Sequence, residues 1–264
     1  MIRLHFNLKD MPFKKDCPTD TLFESSVFAE GVKRLEHIRE HRGLFLLTGD
    51  PGSGKTTLLR HFHHNLNENA YRTFYIPLAT VSVTDFYRQL NYSLGNTPTH
   101  RKTDLFRNIQ EGIKALVQNR KIVPVFIFDE VHLMKTENFS ELQIILNFDY
   151  DSVMPAIVVL AGQSHLRDRL ARDISTSFDQ RIALKYHLIP LGKNECNEYI
   201  QNALKQVGGT ESLLSANALE AIFNNTQGNL REIANLTIKA LLATAIAGKN
   251  TVTEEEVFLA SKEV

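Results

Sequence analysis

The sequence predicts an α/β fold, a five-stranded parallel sheet covered by helices, followed by a small all-helical domain. Three observations carry it. Short apolar runs at 44–48, 73–78, 123–130, 156–162 and 183–191 are bounded by turn residues and separated by helical stretches. That is the pattern of a parallel sheet buried on both faces. After Leu191 such runs cease and only helical stretches follow. A glycine-rich loop stands directly between the first apolar run and a helix.

Taken in order, "VFAEGVKRLEHIREHR" (27–42) is an amphipathic helix stopped by Gly43. "LFLLT" (44–48) is a short, wholly apolar strand, and the helix after the glycine loop starts near Lys55. "TFYIPL" (73–78) is the second strand, with helices from Thr84 to about Leu94 and from Thr103 to Asn119. "VPVFIFDE" (123–130), "AIVVLAG" (156–162) and "ALKYHLIPL" (183–191) complete the sheet. Helices at about 193–206, 215–225, 229–247 and 253–263 follow, the last opened by the capping box Thr253–Glu256. The expected domains are therefore 1–191, the α/β core with an N-terminal extension, and 192–264, a helical lid.

Composition bounds the function. At 264 residues and 43% hydrophobic, the chain can bury a full core. Thirty basic and thirty acidic residues cancel, so any contact with nucleic acid must come from a local patch. Cys17 and Cys196 lie far apart in no metal or redox spacing and read as reduced thiols of a cytoplasmic protein. The N-terminus "MIRLHFNLKDMPFKKD" lacks an unbroken apolar segment, and no apolar run approaches the ~20 residues that span a bilayer. The expectation is a protein with no membrane partner.

The glycine loop reads Gly49-Asp50-Pro51-Gly52-Ser53-Gly54-Lys55-Thr56, followed by Thr57. It fits G-x-x-x-x-G-K-[ST] in the strand-to-helix setting that the chemistry requires. Glycines let backbone N–H groups turn onto phosphate oxygens, and the helix N-terminus adds partial positive charge. Lys55 is placed to reach the β and γ phosphates, and the Thr56 hydroxyl to ligate Mg²⁺. Asp129, at the end of the apolar strand "VFIFDE", is placed to hold the Mg²⁺ shell, and Glu130 to polarise a water for in-line attack. An adjacent acidic pair favours hydrolysis over phosphoryl transfer to a metabolite. Two histidine clusters, "HIREH" (37–41) and "HFHHN" (61–65), have metal-like spacing but read as charge-rich helix surface.

In this order the motifs resemble an AAA+ ATPase, and more narrowly the ExeA-like and transposition-regulator (TnsC-, TniB- and MuB-like) group. The resemblance runs over nearly the whole chain: "HFNLKDMPF", "GLFLLTGDPGSGKTTLLR", "FIFDEVHLM", "VVLAGQSHLRDRL", "FDQRIALKYHLIPL" and "GNLREIANLTIKALLAT". It implies ATP and Mg²⁺ as cofactors and assigns three further roles. Gln163 matches the first sensor, which helps place water and γ-phosphate. Arg231 matches the second sensor on the lid. Arg181 matches the arginine finger that reaches a neighbouring subunit's ATP, with pairing to Asp179 or another acid as its structural alternative and Arg169 and Arg172 as fallbacks. One departure stands out: the second strand reads "YIPLAT", without the polar residue that such proteins often place there to gate the catalytic Glu.

For nucleic acid, the stretch 101–121 has six basic and two acidic residues, with Arg101, Lys102 and Arg107 the candidates for phosphate contact. A solvated helix surface is the alternative. The resemblance implies self-assembly into a ring or helical filament on double-stranded DNA and recruitment or activation of a transposase. The alternatives are an ATPase assisting secretion-complex assembly and a nucleotide-dependent scaffold with little turnover. ExeA-type proteins carry a membrane span and a peptidoglycan-binding segment beyond the ATPase. This chain ending shortly after the lid sets the expectation toward transposition, and intact Lys55, Asp129 and Glu130 count against the scaffold.

Overall fold

The computed structural model describes residues 1–77, 80–150, 152–172 and 176–262. In chain order the strands are β1 (Gly43–Gly49), β2 (Tyr71–Ile76), β3 (Val123–Phe128), β4 (Ile157–Gly162) and β5 (Ile182–Leu188). The helices are α1 (Ile2–His5), α2 (Ser26–His41), α3 (Lys55–His64), α4 (Val83–Leu94), α5 (Lys102–Lys114) and α6 (Thr136–Ile145). There follow α7 (Leu166–Arg172), α8 (Thr176–Gln180), α9 (Lys193–Gln206), α10 (Ala216–Thr226), α11 (Leu230–Ile246) and α12 (Glu254–Lys262).

The chain divides into two compact units: residues 30–50 with 55–188, and residues 1–29 with 51–54 and 189–264. The first holds the sheet, all parallel in the order β2-β3-β4-β1-β5. Every residue of β1 and of β4 is buried. Their apolar character, broken only by the hydrogen-bonded Thr48, follows from helices covering both faces, where an unpaired polar position would have no water to meet. Phe74, Phe86, Phe126, Phe128 and Phe139 belong to the large cluster on one face, with Leu105, Ile109 and Ile113 of α5 spaced at helical period against it.

Several elements depart from the sequence reading. The second strand begins earlier, at Tyr71, and Leu78 lies outside the described residues. The third strand stops at Phe128, so Asp129 and Glu130 sit just beyond it, Glu130 in the left-handed region (φ 55). The fifth strand ends at Leu188, and the helix expected through Asn119 becomes a π-helical turn after Lys114. Helices α1, α6, α7 and α8 were not anticipated; all are short, with four to ten residues each.

In the second unit, α9 to α12 form a helical bundle whose core includes Ile200, Leu204, Ile222, Ile233, Leu241 and Val257. The N-terminal residues pack here and not with the sheet, unlike the expected 1–191 core. Ile2 and Leu8 enter the helical core, the Lys9 N–H donates to the Val207 carbonyl at 2.8 Å, and the Phe13 and Phe23 rings meet Tyr199. The physical reason is apolar area: Ile2 and Leu8 leave water by joining the cluster that holds Leu204 and Val207. Among the described residues neither Cys17 nor Cys196 is in a disulfide, and burial pushes the Cys196 thiol up to about 11. Gly228 (φ 81) passes so close to Leu191 that an added Cβ would lie 2.0 Å from its carbonyl oxygen.

Candidate functional site

In the sheet unit, the strand order sets β4 between β1 and β3, so the C-terminal ends of these three strands deliver Gly49, Asp129 and Gln163 to one edge. Such strand ends are where ligands bind in open parallel sheets. The loop after β1 opens α3 with Lys55 as its first helical residue. Lys55 is buried, and its ammonium donates to the carbonyls of Gly49 (2.8 Å) and Asp50 (3.0 Å). A buried ammonium held by carbonyls inside its own loop is preorganised for anionic oxygens, which make stronger, charge-assisted bonds.

Asp129 is 4% exposed. Its Oδ2 accepts from Thr56 Oγ1 at 3.4 Å and from Tyr75 Oη at 2.9 Å, while its Oδ1 accepts the Glu130 N–H at 2.9 Å. Every one of these donors is a hydroxyl or an amide. The convergence of the Thr56 hydroxyl on a buried carboxylate oxygen is the donor set that suits a hydrated Mg²⁺, which takes one or two protein oxygens and keeps waters for the rest. Thr57 is half-buried behind Thr56. Glu130 carries a half-exposed side chain whose Oε2 lies 3.5 Å from His132 Nδ1. Gln163, half-buried, follows β4 directly, and the next residue, Ser164, donates to the Asp50 carboxylate.

The tip of the loop, Pro51–Gly54, belongs to the helical unit. Gly52 (φ 85) and Gly54 (φ 96) adopt a backbone that other residues rarely reach. An added Cβ at Gly52 would lie 2.6 Å from both Arg231 Cβ and Asn229 Oδ1. Asn229 caps α11 by accepting from the N–H groups of Arg231 and Glu232, and its amide donates to the Pro51 carbonyl at 2.8 Å. This fixes Arg231, exposed in the first turn of α11, beside the loop tip. Ser53 Oγ is buried and finds no hydrogen-bond partner among the described residues. An orphaned hydroxyl in a glycine-rich turn fits a phosphate-bearing ligand, which would supply the missing acceptor.

Arg181 is half-buried between α8 and β5 and donates to the Gln143 carbonyl at 3.4 Å; Asp179 is bound by Lys185 at 2.6 Å. Since Ile182 pairs with Leu44 and Leu188 with Gly49, Arg181 stands at the strand end opposite the glycine loop. Arg181 is one residue further from the loop than Ile182, and at about 3.3 Å per residue the backbone separation is roughly 20 Å. Arg169 is engaged inside the unit, donating to the His132 carbonyl at 2.8 Å, and Arg172 is exposed. In the basic stretch, Arg101 and Arg107 are exposed, whereas Lys102 pairs with Glu141 at 2.6 Å. The histidines of "HIREH" stack on each other, His37 on His41 at 4.1 Å. Among the described residues no group of three or more His, Cys, Asp or Glu is arranged to hold a metal ion.

Tyr75, Ser164, Asn229 and His132 were missed. Tyr75, the first residue of "YIPLAT", lies level with Ile127 in the parallel pairing of β2 with β3, and its hydroxyl reaches two residues further along to Asp129, not to Glu130. Burial and the Asp129 hydrogen bond push its hydroxyl up to about 12, so it stays a donor. For Asn229 a signal existed, since Gly-Asn before a helix marks an N-cap.

The AAA domain family matches residues 38–170, half of the chain. General secretion pathway protein A of Aeromonas hydrophila is 25% identical over 262 residues, 98% of this chain. The chain spans about half of that relative's length (48%). Among solved structures, Cdc6p from Pyrobaculum aerophilum superposes with a TM-score of 0.72 at 17% identity, covering 94% of this chain and 71% of that one. Drosophila ORC bound to DNA gives 0.63 at 17% identity, covering 99% and 72%. The likeness to these structures establishes a shared fold, the AAA+ P-loop sheet with a helical C-terminal part. Family match, strand order and glycine loop agree: the chain belongs to the AAA domain family.

Proposed function

We propose that the protein binds ATP with Mg²⁺ at the loop after β1, hydrolyses it at a subunit interface, and assembles on double-stranded DNA to recruit or activate a transposase. The observation that carries the reading is the convergence of Lys55, Thr56 and Asp129 at the ends of β1 and β3. Lys55 exchanges the Gly49 and Asp50 carbonyls for phosphate oxygens. Thr56 and Asp129 hold the cation, which supplies charge neutralisation on the phosphates. Glu130 takes the proton of the attacking water, and Gln163 orients it. Arg231, beside the loop tip, responds to the phosphate from the lid. Arg181 is roughly 20 Å along the sheet from its own loop, which supports its serving a neighbour's nucleotide; such fingers contribute about 10³-fold or more to turnover. Bound ATP then ties subunits together, and a row of them repeats a modest basic surface that a neutral chain alone would not offer.

The test is magnesium-dependent phosphate release, followed by electron microscopy with a non-hydrolysable ATP analogue and duplex DNA at low salt. Rings or filaments on DNA, with affinity falling by about 0.9 log units per neutralised phosphate for each tenfold rise in salt, are expected. Dispersed particles that retain no DNA overturn the DNA and transposase part. A second reading, an ATPase assisting secretion-complex assembly, is favoured by the 25% identity with General secretion pathway protein A across 98% of this chain. It expects ATP hydrolysis without DNA retention.

A further inference from the structure

The turn that follows the acid pair carries a group that the proposed reaction does not yet use. Val131–Leu133 is a single 3₁₀ turn, and its His132 has a side chain only 5% exposed. The turn is fixed from several sides. Val131 is fully buried, Arg169 donates to the His132 carbonyl at 2.8 Å, and the His165 ring meets the His132 ring edge-on at 5.2 Å. Gly162 leaves the backbone room, since an added Cβ there would lie 3.2 Å from His132 N. Held this tightly, His132 nevertheless has a buried Nδ1 that finds no hydrogen-bond partner among the described residues. An orphaned buried polar atom costs about 1–3 kcal/mol, so its position asks for a partner. The carboxylate oxygen Oε2 of Glu130 stands 3.5 Å away, just beyond hydrogen-bond length.

Glu130 itself is poorly fixed. Its backbone is left-handed, its side chain is half exposed, and the strand that would have aligned it ends two residues earlier. We propose that His132 is the positioning residue for Glu130: its Nδ1–H donates to Oε2 and so aims the other carboxylate oxygen, Oε1, at the attacking water. A small rotation of the Glu130 side chain closes the gap, while the buried ring stays where Arg169 and Val131 hold the turn. Burial, which outweighs the pull of the Glu130 charge, keeps His132 below the usual imidazole range and hence neutral, with a single N–H to give. A neutral donor suits this task, because a full positive charge on the carboxylate would lower its basicity toward the water's proton.

This inference rests on reading Glu130 as the water-polarising group, and the experiment separates the two. Magnesium-dependent ATP turnover, ATP affinity and melting temperature are compared for the wild type, His132→Phe, His132→Asn and His132→Gln. An Asn amide nitrogen mimics Nδ1, a Gln amide nitrogen mimics Nε2, and Phe fills the space without a donor. His132→Phe and His132→Gln should lower kcat about tenfold with KM and ATP affinity within twofold, whereas His132→Asn should stay within threefold of the wild type. In a Glu130→Gln background, His132→Phe should change the single-turnover rate no further. Full kcat in His132→Phe, a Gln variant better than the Asn variant, or an equal further loss in the Glu130→Gln background overturns the positioning role. Should His132→Phe fail to fold, the Asn-against-Gln comparison decides alone. Wild-type turnover by Glu130→Gln overturns the reading of Glu130 itself, and the positioning role with it.

Discussion

Two buried carboxylates, one in each unit, are satisfied in opposite ways. Glu256, 2% exposed in the first turn of α12, accepts from the Thr253 N–H (2.9 Å), the Thr253 hydroxyl (2.6 Å) and the Lys249 ammonium (2.6 Å). Its charge is matched where it stands. Asp129, 4% exposed, receives only hydroxyls and an amide, and among the described residues no Lys, Arg or His makes an ion pair with it. Both obey the rule that buried polar atoms are hydrogen-bonded. They differ in whether the protein neutralises them. A buried acid given its own cation is architecture; one given only donors that can turn aside suits an outside cation.

The comparison breaks first at Asp129. Asp129→Asn keeps the shape and most hydrogen bonds but removes the charge. Magnesium-dependent ATP turnover should fall about 100-fold or more, while the melting temperature stays level or rises, since an unneutralised buried charge is costly to fold around. Steady-state phosphate release across a magnesium titration, with calorimetry, checks both halves. A protein that loses its fold instead would place Asp129 in the same class as Glu256.

Glu256→Gln should do the reverse. Burial pushes the Glu256 carboxyl up, but the hydrogen bonds from Lys249 and Thr253 outweigh it and hold the group down at about 2. A folded-state pKa below the unfolded value contributes stability above the unfolded pKa, which is lost as pH falls through the folded one. The variant should therefore be about 2 kcal/mol less stable near neutrality, about 5 °C in melting temperature, with ATP affinity unchanged. The gap from the wild type should be constant above pH ~5 and close toward pH ~2. Thermal melts of both proteins over that range test the sign: a gap that widens in acid would mean the carboxylate is not the species that α12 needs.

The same contrast explains what was legible in the sequence. Lys55, Thr56, Asp129 and the Thr253–Glu256 cap were all readable, because each depends on neighbours a few residues away in the chain or on strand ends that a parallel sheet always aligns. The strands were readable because burial on both faces leaves Thr48 as the one polar side chain in β1 and none in β4. What escaped notice depends on long-range register. Tyr75 meets Asp129 across 54 positions, Asn229 meets Pro51 across 178, and Ser164 meets Asp50 across 114. The N-terminal residues were expected with the sheet because apolar side chains such as Ile2 and Leu8 do not say in the sequence which core they join. The pairing of Lys102, a candidate phosphate contact, with Glu141 was not legible because that acid lies on another helix.

The finest test of the comparison is Tyr75→Phe, which leaves the acid and removes one donor. The Tyr75 hydroxyl, held up at about 12, remains protonated in any working buffer and donates to the same Oδ2 that Thr56 addresses. It sits at the end of an edge strand, 51% exposed, so losing its hydroxyl should cost the fold little. Its effect should appear in how firmly Asp129 presents that oxygen to a cation. Groups that orient a metal ligand in this way typically contribute about tenfold or more to affinity. The magnesium concentration for half-maximal ATP turnover should rise by about tenfold in Tyr75→Phe, with kcat at saturating magnesium within twofold of the wild type. A drop in kcat that no magnesium restores would mean the hydroxyl acts on the water or the phosphate. No change at all would mean that Thr56 and the Glu130 amide suffice to hold Asp129, and that burial alone makes this carboxylate different from Glu256.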